Sequence, residues 1–223
     1  MPADTLASLQ SALAEIYDLR AVPSVGEFLL TDRSDLSGWS EARASDEQLL
    51  VAAEGDTVSL ALFIDQAVLA RLAQRDPFAS LDHGNLADYL TVAEGVSHFV
   101  YVAWNAGHDK PVTLFELELQ AEVDKYVLGA WLLREQGAGR FPRELHRLLF
   151  ERARVDELAA AGRADLYRAA SNYAAKFCRR VAASLSASKR QCGRGATREL
   201  LAELRRFYRF GNARKLAHIE RFA

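Results

Sequence analysis

The sequence predicts an α+β protein, mainly helical, with a small N-terminal antiparallel sheet of about three strands packed on a helical bundle. Three observations lead there. Apolar residues recur at three- and four-residue spacing along most of the 223 residues, the period of a buried helix face. One stretch, 48–64, switches to two-residue alternation around a Gly-containing turn, the pattern of a hairpin. Half of the chain is hydrophobic, enough to bury a full core without disulfide or metal staples. The expected organisation is a helix plus sheet over 1–80 and a bundle over 81–223, together one continuous domain.

Each element has its own signal. Leu6, Leu9, Leu13, Ile16 and Tyr17 place an amphipathic helix over 3–18, with Asp4 or Thr5 as its cap. After Pro23 the short apolar run 27–31 reads as a strand, and 32–46, rich in Asp, Ser and Gly, reads as a loop. Strands over 48–53 and 57–64 flank Glu54-Gly55-Asp56, because Val58, Leu60 and Leu62 alternate with Thr57, Ser59 and Ala61. Helical spacing resumes over 65–75, stops before Pro77, and returns over 85–106 after the turn at 82–85. Thr113 and Glu116 fit a capping box behind Pro111 and open a helix running to about 136.

Beyond the Gly-rich break at 137–139, helices are expected near 142–153, 155–161 and 163–186. In the last of these, Leu166, Tyr167, Ala170, Tyr173, Phe177, Val181 and Leu185 form one apolar arc opposite a basic face. Residues 187–195 read as a basic loop. Leu200, Leu201, Leu204, Phe207 and Tyr208 define the next helix, Gly211-Asn212 ends it, and Leu216 and Ile219 anchor a short final one.

Net charge conceals a strong asymmetry. Residues 1–133 carry 7 Lys+Arg against 21 Asp+Glu, net −14; residues 134–223 carry 21 against 9, net +12; the sum is −2. Such a split suits an intracellular interaction protein whose basic C-terminal half docks on an anionic partner, either an acidic protein or nucleic acid. Internal neutralisation within one domain is the plainer reading. The first 25 residues lack the basic start, apolar run and cleavage site of a secretory signal. The most apolar region, 92–104, contains Glu94 and His98, which argues against a membrane span, so the expected location is cytoplasmic. Cys178 and Cys192 are too few for a disulfide framework. Cys178 falls on an apolar arc, and Cys192, among arginines and glycines, has the setting of a reactive thiol.

One irregularity points to chemistry. Glu118 and Glu122 fall in the middle of the apolar face of the 113–134 helix, where a charge must be paired, protonated or bound. The preceding helix carries the polar stripe Thr91, Glu94, His98, Tyr101 and Asn105. A connection as short as 107–112 makes the two helices antiparallel neighbours, and positions equidistant from the turn then bring Glu94 and His98 opposite 118–126. Glu94, His98, Glu118 and Glu122 are therefore candidate ligands for zinc, iron or manganese. The alternative enzyme reading uses Glu94, His98 and Glu122 as a metal-free general acid/base set, in a pocket lined by Tyr101 and Trp104. The structural readings are a Glu122–Lys125 ion pair within one helix and a stripe that is simply exposed. For an anion, Gly193-Arg194-Gly195 and Arg198 suggest phosphate, and Arg205, Arg206 and Arg209 interleave with Phe207, Tyr208 and Phe210.

Overall fold

The structure is a computed structural model that describes residues 2–39, 45–55, 57–137, 143–151, 163–191 and 194–221. The expected helix 155–161, Asp56, Cys192 and Gly193 lie outside the described residues. The fold is α+β and mainly helical, with a three-stranded mixed sheet. Two compact units make up the chain: residues 1–14 with 19–111, and residues 15–18 with 112–223.

The first unit begins with helix α1 (Pro2–Tyr17). It starts at Pro2, so Asp4 lies in its first turn rather than capping it, where a carboxylate favours the helix dipole. Leu6, Leu9 and Leu13 are buried as the spacing predicts. A 3-10 helix, Val25–Phe28, leads into β1 (Leu29–Leu30). The expected loop contains a second 3-10 turn, Arg33–Gly38, capped by Asp32, whose carboxylate accepts from the Ser34 N–H.

Strands β2 (Glu47–Glu54) and β3 (Thr57–Ile64) form the expected antiparallel hairpin, with Glu54 opposite Thr57 and Gly55 at φ +58°. That dihedral is one glycine adopts at no steric cost. The wholly antiparallel sheet is corrected: the order is β1-β3-β2, and β1 runs parallel to β3, pairing Leu29 with Leu62 and Leu30 with Phe63. The cause is topological. β3 already has β2 on one side, so β1 takes its other edge, and it runs in the direction opposite to β2.

Both faces of the inner half of β3 are buried. Ala61 and Phe63 pack with Leu36 and Leu50, joined by Leu30 and Trp39. On the other face lies helix α3 (Leu86–Ala106), which packs on both β2 and β3, with α2 (Gln66–Gln74) beside it. Asp65 caps α2 by accepting from the Ala67 N–H at 2.9 Å. Gly95 sets how closely α3 approaches the sheet: a Cβ there would stand 2.8 Å from Glu47 Cγ and 3.0 Å from Leu62 Cδ1.

The second unit contains α4 (Leu114–Glu135), α5 (Arg143–Phe150), α6 (Ala164–Gln191), α7 (Arg194–Tyr208) and α8 (Asn212–Glu220). Helix α6 is the central one, packing against α4, α5, α7 and α8. Its Ala170, Phe177, Val181 and Leu185 are buried, together with Ala174, Cys178 and Ala182. Within the expected basic loop over 187–195, residues 187–191 are instead the end of α6 and 194–195 the start of α7. Between Arg163 and Cys192 the sequence has no Gly or Pro to stop the helix, and Lys189 and Arg190 suit a helix C-terminus. No described helix is long and apolar enough to cross a membrane.

Candidate functional site

Helix α4 carries a second polar stripe. Glu116, Gln120 and Asp124 repeat at four-residue spacing, which puts them on one face. All three are buried, Gln120 and Asp124 completely. Thr113 caps the helix by accepting from the Glu116 N–H at 3.2 Å. The Glu116 side chain, however, does not close the capping box: its Oε2 accepts from the Asn212 N–H at 3.1 Å and so caps the start of α8.

The stripe anchors a buried network within the second unit. Tyr17 Oη donates to Asp124 Oδ1 at 2.5 Å, and Gln120 Nε2 donates to the same oxygen at 2.8 Å. Gln120 Oε1 accepts from Lys215 Nζ, and that ammonium lies 4.8 Å from the Phe207 ring centre and 5.9 Å from that of Tyr208. Tyr17 stacks on Tyr208 with ring centres 4.2 Å apart. Lys215 is 0% exposed. It takes a core position where the spacing predicts Leu216, which is only half-buried.

Burial governs the titration of these groups. It pushes the Tyr17 phenol well up, reinforced by the Asp124 carboxylate, and it does the same to Tyr208. For Lys215 burial acts the other way, lowering the ammonium from 10.5 to about 7 against the opposing pull of Glu116 and Asp124. The Cys178 thiol is raised by burial, then by Glu122 and Asp124, which makes it an inert core residue. Side chains sealed this completely reach no substrate. What the network can do is fix the register of α8 and of the 15–18 segment against α4, because leaving any member unpaired in the interior is costly.

The sequence-predicted ligands fall in both units: Glu94 and His98 in the first, Glu118 and Glu122 in the second. His98 is 6% exposed, so its part of the stripe is no solvent face. Tyr101 and Asn105 are buried as well, and Asn105 Nδ2 donates to the Tyr101 carbonyl at 2.8 Å. The partner of His98 within the first unit is Glu47, whose Oε1 lies 3.3 Å from Nδ1. Nothing in the sequence marks Glu47, which follows Asp46 at the start of a strand. Glu94 is half-buried. On α4, Glu118 is buried and Glu122 forms the expected intrahelical pair with Lys125 at 2.7 Å.

The predicted anion-binding arginines divide. Arg205 donates to the carbonyls of Ile16 and Glu15, both at 3.0 Å, and Arg209 donates to that of Asp18 at 3.2 Å. Their guanidinium groups satisfy backbone acceptors within the unit. Arg206 pairs with Glu203, which also takes His218 and, at 3.5 Å, Arg180. Burial alone would raise the Glu203 carboxyl, but Arg206 and His218 outweigh it and hold the carboxyl low. Arg198 is exposed, and Arg194 opens α7. No family model matches the chain, and neither does any curated protein or solved structure.

Proposed function

We propose that this chain is a binding protein whose second unit docks through its basic exterior on an acidic protein surface. The observation that carries the reading is how charge is partitioned within that unit. Carboxylates of α4, Glu116, Glu118 and Asp124, are buried. Arg168, Lys176, Arg179, Arg198, Arg214 and Arg221 are exposed on or beside α6, α7 and α8. With these three acids inside, exposed cations outnumber exposed acids among the described residues of the unit, and such a surface steers an anionic partner.

An acidic protein suits the chain better than a nucleic acid. The whole chain has net charge −2, so a long polyanion gains little attraction at a distance. A local acidic patch within a Debye length, about 8 Å at physiological salt, feels mainly the nearest cations. The test is fluorescence anisotropy of a labelled poly-glutamate peptide at low salt. Binding that weakens steeply with salt and is lost in Arg198→Glu/Arg214→Glu supports the reading. Absence of binding, or a clear preference for a DNA or RNA oligonucleotide, overturns it.

A second reading is a metal-dependent hydrolase or oxidoreductase, and the Glu47–His98 contact favours it. A carboxylate at Nδ1 sets the imidazole in the tautomer whose Nε2 binds metal. Its candidate donors within the first unit are Glu94 and His98, of the types that hold zinc, iron or manganese. Elemental analysis after chelator-free purification tests it. Stoichiometric metal that is lost in His98→Ala supports this reading, and metal-free wild-type protein sinks it.

A further inference from the structure

Helix α8 is nine residues long, and its buried positions are Lys215 and Ile219. An isolated helix of this length does not hold itself together in water, so its attachments decide whether it stays in place. Those attachments are mostly ionisable. Glu116 accepts from the Asn212 N–H at its start, and Lys215 donates to Gln120 in its middle. His218 contacts Glu203, and Glu220 accepts from Tyr173 at 2.9 Å. A leucine at 215 would seal the same position without the expense of desolvating a cation.

Beneath α8 lies an aromatic surface. Phe177 and Phe207 stack with centres 4.0 Å apart, and His218 lies 6.4 Å from the first ring and 6.1 Å from the second. Both phenylalanines are buried. We propose that α8 is a releasable latch over this aromatic pair, opened when the Lys215 amine carries its proton and held shut when it does not. In the open state the ammonium reaches water, and Phe177 and Phe207 lose their cover.

The setting of Lys215 supports a switch governed by that one amine. Glu116 and Asp124 on α4 act on it directly, and the Tyr208 ring of α7 lies 5.9 Å from its nitrogen; Tyr17, at the end of α1, hydrogen-bonds to the same Asp124 and interacts in turn with Cys178 of α6, Arg209 acts on Tyr208, and Arg214 and His218 lie near it along α8. Burial holds Tyr17, Tyr208 and Cys178 above their ordinary values, so none of those three gains charge at neutral pH. Burial lowers Lys215 from 10.5 to about 7. The open form therefore binds more protons than the closed form between those values, and closure strengthens as pH rises through that window. Local opening of a short terminal helix is also the low-energy end of native-state fluctuation.

Hydrogen exchange resolved by mass spectrometry on the full chain tests this, with protection factors for α8 compared with those for α6 at pH 6.5 and 8.5. Wild-type α8 should gain at least tenfold in protection at the higher pH while α6 is unmoved, and Lys215→Met should remove that pH dependence and leave α8 protected at both values. If wild-type α8 and α6 show the same protection at both pH values, no separate opening exists and the proposal falls, whether or not the variant folds. It falls equally if the dependence persists in Lys215→Met.

Discussion

Replacing Asp124 by alanine should damage the second unit more than any surface substitution. Asp124 Oδ1 accepts from Tyr17 Oη at 2.5 Å and from Gln120 Nε2 at 2.8 Å, and its charge lies among those acting on Lys215. Two routes give the magnitude. Removing one partner from a buried charged network costs about 3–5 kcal/mol. Leaving two buried donors unsatisfied costs about 1–3 kcal/mol each, or roughly 2–6 in all. The routes overlap near ~4 kcal/mol, a large share of the roughly 5–15 kcal/mol that holds a domain together. Hydrogen exchange on the most protected amides of α4 and α6 measures it, a loss of ~4 kcal/mol being close to a thousandfold in protection. Asp124→Asn, which keeps the shape and an acceptor for Tyr17, should lose distinctly less. A cost below about 1 kcal/mol for Asp124→Ala would refute the reasoning, because a sealed acceptor with two donors cannot be removed so cheaply.

Two further outcomes follow from the geometry. Gly95→Ala places a Cβ 2.8 Å from Glu47 Cγ and 3.0 Å from Leu62 Cδ1; overpacking of this kind costs ~1–3 kcal/mol, partly offset by the better helix propensity of alanine. Its thermal midpoint should fall, and an unchanged or higher midpoint would contradict the close approach of α3 to the sheet. Glu203 is held below the ordinary carboxylate range despite its burial, by Arg206 and His218. A depressed carboxyl contributes stability that is complete above its unfolded pKa and is lost as pH falls through the folded one. Acid titration of stability should therefore be shallower in Glu203→Gln than in wild type, and identical acid limbs would contradict the pairing.

Elements with a clean local signal were legible in the sequence. The alternation in β3, Gly55 in the turn and Thr113 ahead of α4 all lie where pattern and turn chemistry place them. The direction of β1 was not, since two strand residues say nothing about which edge they will take. The basic run near 189 reads as loop by composition, yet without Gly or Pro it extends α6. At the site, the mixture of acids and apolar residues on α4 was visible. The four-residue spacing of Glu116, Gln120 and Asp124 is as legible in the sequence as that of Glu118 and Glu122. Lys215 is not legible, because a lysine beside Leu216 on a nine-residue helix reads as solvated, and only its reach to Gln120 explains its burial. Glu47 was equally silent, since its role depends on a strand and a helix meeting at Gly95.

Carbodiimide labelling of carboxylates on the native chain, read site by site by mass spectrometry, tests most directly whether the second unit seals the acids of α4 away from solvent. Glu116, Glu118 and Asp124 should remain unmodified until the protein unfolds, while the exposed Asp165, Glu199 and Glu220 react quickly. Comparable labelling of both sets under native conditions would contradict the account, and with it the basic exterior on which the proposed function rests.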